Sequence, residues 1–309
     1  MDHLPLHLKY RPKNFQDVIG NESVVESLKS VIGREKGQVR SFLLIGPSGC
    51  GKTTLARIIA NKLGCSDRDF SEFNSANVRG IETIREIATN SAYAPMSGKV
   101  KVYLLDEFHK ATVDAQNAIL KLLEDTPQHV VFILCTTDPE KLLKTIKTRC
   151  STYQVNSLPR IKIVSLLKKV CQEEGVEVSA EILKRIADVS QGGPRQALVL
   201  LDQVIDIEDE ELALQTIIDN TVDEIKVLDL CRLLIKKSSW QEIANTIKGL
   251  ESTEVENIRY AILGYLSAVL LSKGDERIAN LIEIFSPSWM YTGRAGLTSS
   301  CFLSHKIFS

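Results

Sequence analysis

The sequence predicts an α/β protein: a parallel sheet core toward the N-terminus and helices alone beyond it. Three apolar runs, at residues 41–45, 101–105 and 130–135, lack the polar alternation of a half-exposed strand. Helical spacing follows the first two, and no buried run recurs after Leu158-Pro159. Strands that are apolar on every side chain are buried on both faces, as in parallel sheets covered by helices.

The elements follow in order. An extended, Pro-containing segment leads to a helix with Asn21 as N-cap, Val24, Val25, Leu28, Val31 and Ile32 as its stripe, and Gly33 at its close. Ser41 to Ile45 is the first strand, ending at a glycine-rich turn that opens a helix from Thr53 to Leu63. Lys101 to Leu105 is the second strand, and a helix from about Thr112 to Leu123 follows, with Ala115, Ile119, Leu122 and Leu123 on one face. Val130 to Cys135 is the third strand. Beyond Arg160 come helices broken at Gly175 and at Gly192-Gly193-Pro194. A last block carries the stripes Ile225, Leu228, Leu230, Leu233, Leu234 and Tyr260 to Leu271. The closing TSSCFLSHKIFS shows no readable period. Three parts result: a core at 1–158, a small helical domain at 159–218 and a C-terminal helical domain at 219–309.

Composition removes several function classes. Hydrophobic residues are 44% and charged residues 25% of the 309, so neither disorder nor a disulfide-stapled miniprotein fits. Lys+Arg total 38 against 39 Asp+Glu, which excludes coating nucleic acid by bulk charge but leaves room for a basic groove. Aromatics at 6% argue against a base-stacking platform. The longest nearly apolar run, Ala261 to Leu271, is too short to cross a bilayer, so no membrane partner is expected. No apolar segment stands behind a basic one at the N-terminus, so no signal peptide is expected. The seven cysteines are scattered without a CxxC pair, which suits thiols packed as small apolar groups in a reducing cytoplasm.

Gly46-Pro47-Ser48-Gly49-Cys50-Gly51-Lys52-Thr53 satisfies G-x-x-x-x-G-K-[ST], and it lies where the motif requires, between a strand and a helix that continues through Thr54. The glycines let backbone N–H groups converge on phosphate oxygens at a helix N-terminus. Lys52 reaches the β- and γ-phosphates, and the Thr53 hydroxyl is a ligand for Mg²⁺, so ATP and Mg²⁺ are the expected ligands. Asp106 and Glu107 end the second strand, at the crevice where such sheets bind ligands. Asp106 is placed for the Mg²⁺ shell and Glu107 to orient or deprotonate the attacking water. Thr137, past the third strand, can help to position that water, although Thr136-Thr137-Asp138 is also ordinary turn chemistry.

With these residues in place the chain resembles the AAA+ clamp-loader ATPases: replication factor C small subunits, the bacterial DNA polymerase III gamma/tau subunit and phage clamp-loader subunits. The matching segments span residues 9 to about 204. They are Lys9-Tyr10-Arg11-Pro12 with Phe15 to Gly20, GPSGCGKT, Asn74 to Ile81, LLDEFHKATVDAQNAILKLLED, Thr137, Thr148-Arg149-Cys150 and Gly193 to Leu198. The resemblance implies an AAA+ core, a lid and a C-terminal collar that assembles the oligomer. It implies that Arg149, in a Thr-Arg-Cys variant of the family's Ser-Arg-Cys, reaches the γ-phosphate of a neighbouring subunit; a guanidinium suits that charge. Arg195 matches the lid arginine that touches the same phosphates from within the subunit, compatibly with a helix cap at Gly192-Gly193-Pro194. Arg11, Pro12, Val18 and Ile19 match the adenine-face contacts, and the apolar ones suit plain packing as well. Arg79, Gly80 and Ile81 match a helix opening that tracks the DNA backbone, with Lys110 and Thr112 as further DNA candidates or simple surface charge and cap.

Two departures matter. Gamma/tau subunits carry four zinc-ligating cysteines after the phosphate-loop helix, whereas only Cys65 lies there, which favours a phage or replication-factor type. With the sequence ending at residue 309, the extra binding domains of the longer bacterial forms are not expected. The resemblance implies an ATPase stimulated by primer–template DNA and a ring-shaped sliding clamp. It also implies a homo- and hetero-oligomer with other loader subunits, pentameric, in a bacterial cytoplasm or that of a phage host. The alternative, another AAA+ DNA-processing ATPase such as a branch-migration motor or helicase loader, is not expected to carry Arg79-Gly80-Ile81 and Thr148-Arg149-Cys150 together. A scaffold subunit without activity is disfavoured by intact Lys52, Thr53, Asp106 and Glu107.

Overall fold

A computed structural model describes residues 4–34, 39–74, 80–236, 238–250, 255–289 and 291–308. The chain divides into two compact units, residues 1–210 and 211–309. That division falls ahead of the residue 218 expected from sequence, and one continuous helix runs across the expected boundary.

In the first unit the elements are α1 (Leu6–Lys9), α2 (Glu22–Ile32), β1 (Ser41–Ile45), α3 (Lys52–Lys62), β2 (Cys65–Phe73), α4 (Ile81–Ser91), β3 (Val100–Leu105), α5 (Val113–Glu124), β4 (Val130–Thr136), α6 (Lys144–Arg149) and β5 (Ser151–Gln154). Three further helices, α7 (Arg160–Glu174), α8 (Ala180–Val189) and α9 (Pro194–Val204), complete it. The five strands are parallel, in the order β2-β3-β4-β1-β5.

Period-two geometry explains why the inner strands read as unbroken apolar runs. Phe42, Leu44, Val102, Leu104, Val131 and Ile133 face one core together with Leu28, Ile58 and Ile59 from α2 and α3. Leu43, Ile45, Tyr103, Leu105, Phe132 and Leu134 face the other, with Ile84, Ile87, Ala115 and Ile119 from α4 and α5. Both faces are covered by helices, so the inner positions of these strands are apolar, and their polar residues, Ser41, Lys101 and Thr136, fall at or next to the strand ends.

Two strands escaped the sequence reading. β2 and β5 are the sheet edges, and their polar composition, CSDRDFSEF and STYQ, reflects strands that pair on one side only. Asn21 does hold the N-cap position of α2, but its side chain does not cap. Its Oδ1 accepts from the Asn156 amide at 2.8 Å and its Nδ2 donates to the Asn156 carbonyl at 3.0 Å, tying the helix start to the chain leaving β5.

The second unit is helical: α10 (Glu210–Ile235, beginning at the boundary), α11 (Trp240–Lys248), α12 (Val255–Lys273), α13 (Glu276–Phe285) and α14 (Gly293–Phe308). Leu230, Leu234, Ile258, Ile262, Leu281, Phe285, Leu297 and Cys301 form its core. Residues 298–308, from the closing stretch without a readable period in sequence, are the last turns of α14. Their signal was hidden because small side chains fill the inner face: Cys301 and Ser304 are buried, and Ser304 returns its hydroxyl to the Ser300 carbonyl at 2.7 Å. Buried Arg259 pairs with Glu256 at 2.8 Å and donates to the carbonyls of Phe285 and Ser286, closing the end of α13. All seven cysteines are free, and only Cys65 is not fully buried, as packing thiols should be.

Candidate nucleotide site

The phosphate loop joins β1 to α3. Gly46 donates its amide to the Thr136 carbonyl at 3.1 Å, anchoring the loop to the neighbouring strand. A Cβ at Gly46 would stand 2.0 Å from the Val155 carbonyl oxygen, so only glycine passes there. Gly51, at φ +104°, turns the chain left-handed immediately before the helix and leaves the first amides of α3 facing the loop.

Lys52 is buried at 6% exposure, which would be costly for a bare ammonium. Its Nζ donates to the carbonyls of Gly46 and Pro47 at 2.8 Å each, using two of three N–H groups. Thr53 Oγ1 donates to Asp106 Oδ2 at 2.8 Å, and Asp106 Oδ1 accepts the Glu107 amide at 2.9 Å.

Glu107 itself sits in the left-handed region, at φ +54°, a conformation that costs a non-glycine residue about 1 to 3 kcal/mol. The turn redirects its carboxylate away from the strand axis. Three donors gather on its Oε2: Thr137 Oγ1 at 3.4 Å, His109 Nε2 at 3.5 Å and Lys110 Nζ at 3.7 Å.

Gly51, Lys52, Thr53, Asp106, Glu107, Lys110 and Thr137 line a cavity of about 880 Å³, together with Ser48, Gly49, Cys50, Thr54, Arg11, Pro12, Val18, Ile19 and Arg195, whereas Gly46, Pro47 and His109 stand behind its wall. Arg11 Nε donates to Thr54 Oγ1 at 3.2 Å. Burial, with the like charges of Arg57 and Arg195 nearby, lowers the Arg11 pKa, so an anion in the cavity would relieve that crowding. Arg195 Cβ lies 3.8 Å from where a Cβ on Gly49 would stand, which brings α9 over the loop. Val18 lines the cavity and also packs against the core beneath it, so its two expected roles coincide.

Other expected residues lie elsewhere. Arg149 ends α6 outside this cavity, where its Nε donates to Glu124 Oε1 at 2.8 Å, its guanidinium pairs with the same carboxylate, and its Nη1 reaches the Thr145 carbonyl at 3.1 Å. Gly80 is the N-cap of α4 and Ile81 its first residue. Thr112 caps α5, accepting the Ala115 amide at 3.2 Å, whereas Lys110 does line the cavity and faces Glu107. Arg79 lies outside the described residues. Glu72 and Asn74 also line the cavity: Asn74 opens the matched segment Asn74 to Ile81 without a role implied for it, and Glu72 sits on edge strand β2, which carries no apolar signature. His109, two residues after Glu107 and within the segment LLDEFHKATVDAQNAILKLLED, has no role that its residue type or spacing alone implies.

The donor set fits a magnesium nucleotide. Thr53 and Asp106 offer only oxygen ligands, as Mg²⁺ requires, and the loop amides and Lys52 offer only donors, as phosphate requires. Among the described residues no other group of His, Cys, Asp and Glu could hold a metal, and no helix is long and apolar enough to cross a membrane.

Parallel sheet, phosphate loop, acidic strand end and helical lid together define an AAA+ P-loop ATPase. A family model for the RCF1/5-like AAA+ ATPase lid domain matches residues 165–203, and one for the DNA polymerase III delta subunit matches residues 69–159. The chain is 32% identical to the DNA polymerase III subunit gamma of Buchnera aphidicola (subspecies Schizaphis graminum), over 92% of this chain and 85% of that protein. It is therefore a member of the DNA polymerase III gamma/tau family. Against the gamma/tau subunit of Mycobacterium tuberculosis identity is 33% over 65% of this chain, and against the tau subunit of Escherichia coli 32% over 79%. The chain spans only 39% and 41% of those two longer proteins. Membership in the gamma/tau family replaces the leaning toward a replication-factor type that the missing cysteines suggested. The RuvB Holliday junction branch migration motor of Thermotoga maritima shares the fold, with TM-score 0.59 and 21% identity over 77% of this chain and 85% of that one.

Proposed function

We propose that this chain is an ATP-hydrolysing subunit of a DNA sliding-clamp loader, working in the cytoplasm with other loader subunits, a ring-shaped clamp and primer–template DNA. The observation that supports it best is the convergence of Lys52, Thr53, Asp106, Glu107 and Thr137 on one cavity in a chain of the gamma/tau family.

The triphosphate lies on the loop amides, with the free N–H of Lys52 turned to the β/γ oxygens. Thr53 and Asp106 would hold Mg²⁺, whose charge would offset that of the phosphates. Glu107 takes a proton from a water whose oxygen attacks Pγ, the bond from Pγ to the β,γ-bridging oxygen breaks, and ADP and phosphate result. Thr137 holds that water from the second side. Arg195 carries the state of the γ-phosphate to the lid, residues 159–218, so that hydrolysis frees the lid from the core. Arg149 completes the site of the next subunit in a pentamer assembled through the collar, residues 219–309. Arg79, Gly80, Ile81, Lys110 and Thr112 supply the DNA-facing surface, with several subunits sharing the phosphate contacts.

The test is ATP turnover by the full chain with its loader partners. Primed DNA plus a sliding clamp should raise the rate well above either alone. Equal or greater stimulation by four-way junction DNA would move the assignment to a branch-migration motor.

A further inference from the structure

His109 lies on the short 3-10 turn Phe108–Lys110 that leaves β3, and its side chain is only 8% exposed. Each ring nitrogen faces one polar group. Nδ1 is 3.1 Å from Thr136 Oγ1, and Nε2 is 3.5 Å from Glu107 Oε2.

Thr136 decides where the imidazole proton resides. The amide of Asp138 donates to Thr136 Oγ1 at 3.0 Å, so one lone pair of that oxygen is used. Thr136 is fully buried, and its single hydroxyl hydrogen needs an acceptor within the protein. Nδ1 is the acceptor at hand. A neutral ring that accepts at Nδ1 carries its proton on Nε2, the nitrogen directed at Glu107. Burial lowers the His109 pKa against the pull of Glu107, favouring the neutral ring; Lys110 and Lys141 act in the same direction as burial, and Asp138 against it.

We infer that His109 is a positioning residue for ATP hydrolysis: its Nε2–H holds one oxygen of Glu107 and leaves the other, Oε1, turned toward the attacking water. The inference rests on the ATPase reading above. Thr137 and Lys110 approach the same Oε2, so the three donors agree on which oxygen is held. A neutral donor suits this task because it orients the carboxylate while lowering its basicity less than a cation would. The 3.5 Å separation is long, and catalytic hydrogen bonds of this kind tighten as the carboxylate turns to its substrate. The chain Asp138–Thr136–His109–Glu107 thus links the turn that carries Thr137 to the base itself. His109 exchanges no proton during turnover.

Two readouts on the full chain test this. In nitrogen-resolved NMR of the labelled imidazole, the His109 proton should reside on Nε2, and Thr136→Val should disturb that preference. In kinetics, His109→Ala should lower kcat about tenfold while leaving ATP affinity within about twofold. His109→Gln, whose amide N–H can reach the position of Nε2–H, should recover most of the loss. A proton on Nδ1, or wild-type kcat in His109→Ala, would overturn the inference. So would parallel loss of affinity and kcat without rescue by glutamine, the mark of a merely structural role. Should the alanine variant fail to fold, the tautomer and the glutamine variant decide. Glu107→Gln run alongside separates the two levels: its loss of hydrolysis beside an indifferent His109 sinks only this inference, whereas wild-type turnover in Glu107→Gln sinks the ATPase reading as well.

Discussion

Thr53 gives its hydroxyl hydrogen to Asp106 at 2.8 Å, joining the first turn of α3 to the end of β3. The two are 53 residues apart in sequence and meet because parallel strands bring their carboxyl ends to one edge of the sheet. The groups assigned to the phosphates, the metal and the attacking water are delivered by that geometry: loop and helix start from one strand, carboxylates from the next, Thr137 from the third.

Lys52 depends on the loop it serves, since its ammonium is solvated by the carbonyls of Gly46 and Pro47. Lys52→Ala removes the buried cation of the phosphate loop. ATP affinity measured by calorimetry should fall about a hundredfold, ~2.8 kcal/mol. Unchanged affinity would remove the phosphate-loop assignment.

Arg149 is held by Glu124 at a partly exposed site, 31% and 48% for the two side chains, where ion pairs contribute below ~1 kcal/mol. Arg149→Ala should therefore leave folding and ATP binding by the chain nearly unchanged. In the assembled loader hydrolysis should drop about a thousandfold if the guanidinium completes a neighbour's site. An isolated chain that hydrolyses ATP as fast as the assembly would rule out that role.

Asp69 is a buried carboxylate on edge strand β2. Burial alone would raise its pKa, but the Ser66 hydroxyl at 2.5 Å and the amides of Met96, Ser97 and Gly98 at 2.5, 3.0 and 2.6 Å outweigh it and hold the carboxyl well below the usual range. Because the folded pKa is depressed, the contribution is complete above the ordinary carboxylate value of ~3.9 and declines as pH falls below it. Asp69→Asn should cost about 2 kcal/mol at pH 7, since its amide group meets donors with a donor, and should flatten stability between about pH 4 and 2. Urea unfolding at several pH values checks both; equal acid sensitivity in wild type and variant would contradict the assignment.

The parts of this molecule that were legible in the sequence share one property: both sides of the backbone impose the same demand. β1, β3 and β4 are apolar along their inner positions because both faces are covered, and the phosphate loop is fixed by close approaches such as Gly46 to Val155. β2 and β5 were not legible because an edge strand tolerates Asp67, Arg68 and Gln154 at its exposed positions. Within the site, Lys52, Thr53, Asp106, Glu107 and Thr137 follow from motif and strand ends, and they do share the cavity. His109 does not follow, since its meaning depends on a Thr136 hydroxyl that only the fold brings within 3.1 Å. The left-handed turn at Glu107 is equally silent in the sequence, where a glutamate gives no sign of positive φ.

The most direct test is Glu107→Gln in the full chain assembled with its partners, read as ATP binding and single-turnover hydrolysis on the same sample. The account predicts an affinity within about twofold of wild type and hydrolysis slowed about a thousandfold, because the amide keeps the shape of the carboxylate but cannot take the proton of water. Hydrolysis at the wild-type rate with ATP bound would contradict it, and the cavity would then be a binding site whose chemistry resides elsewhere.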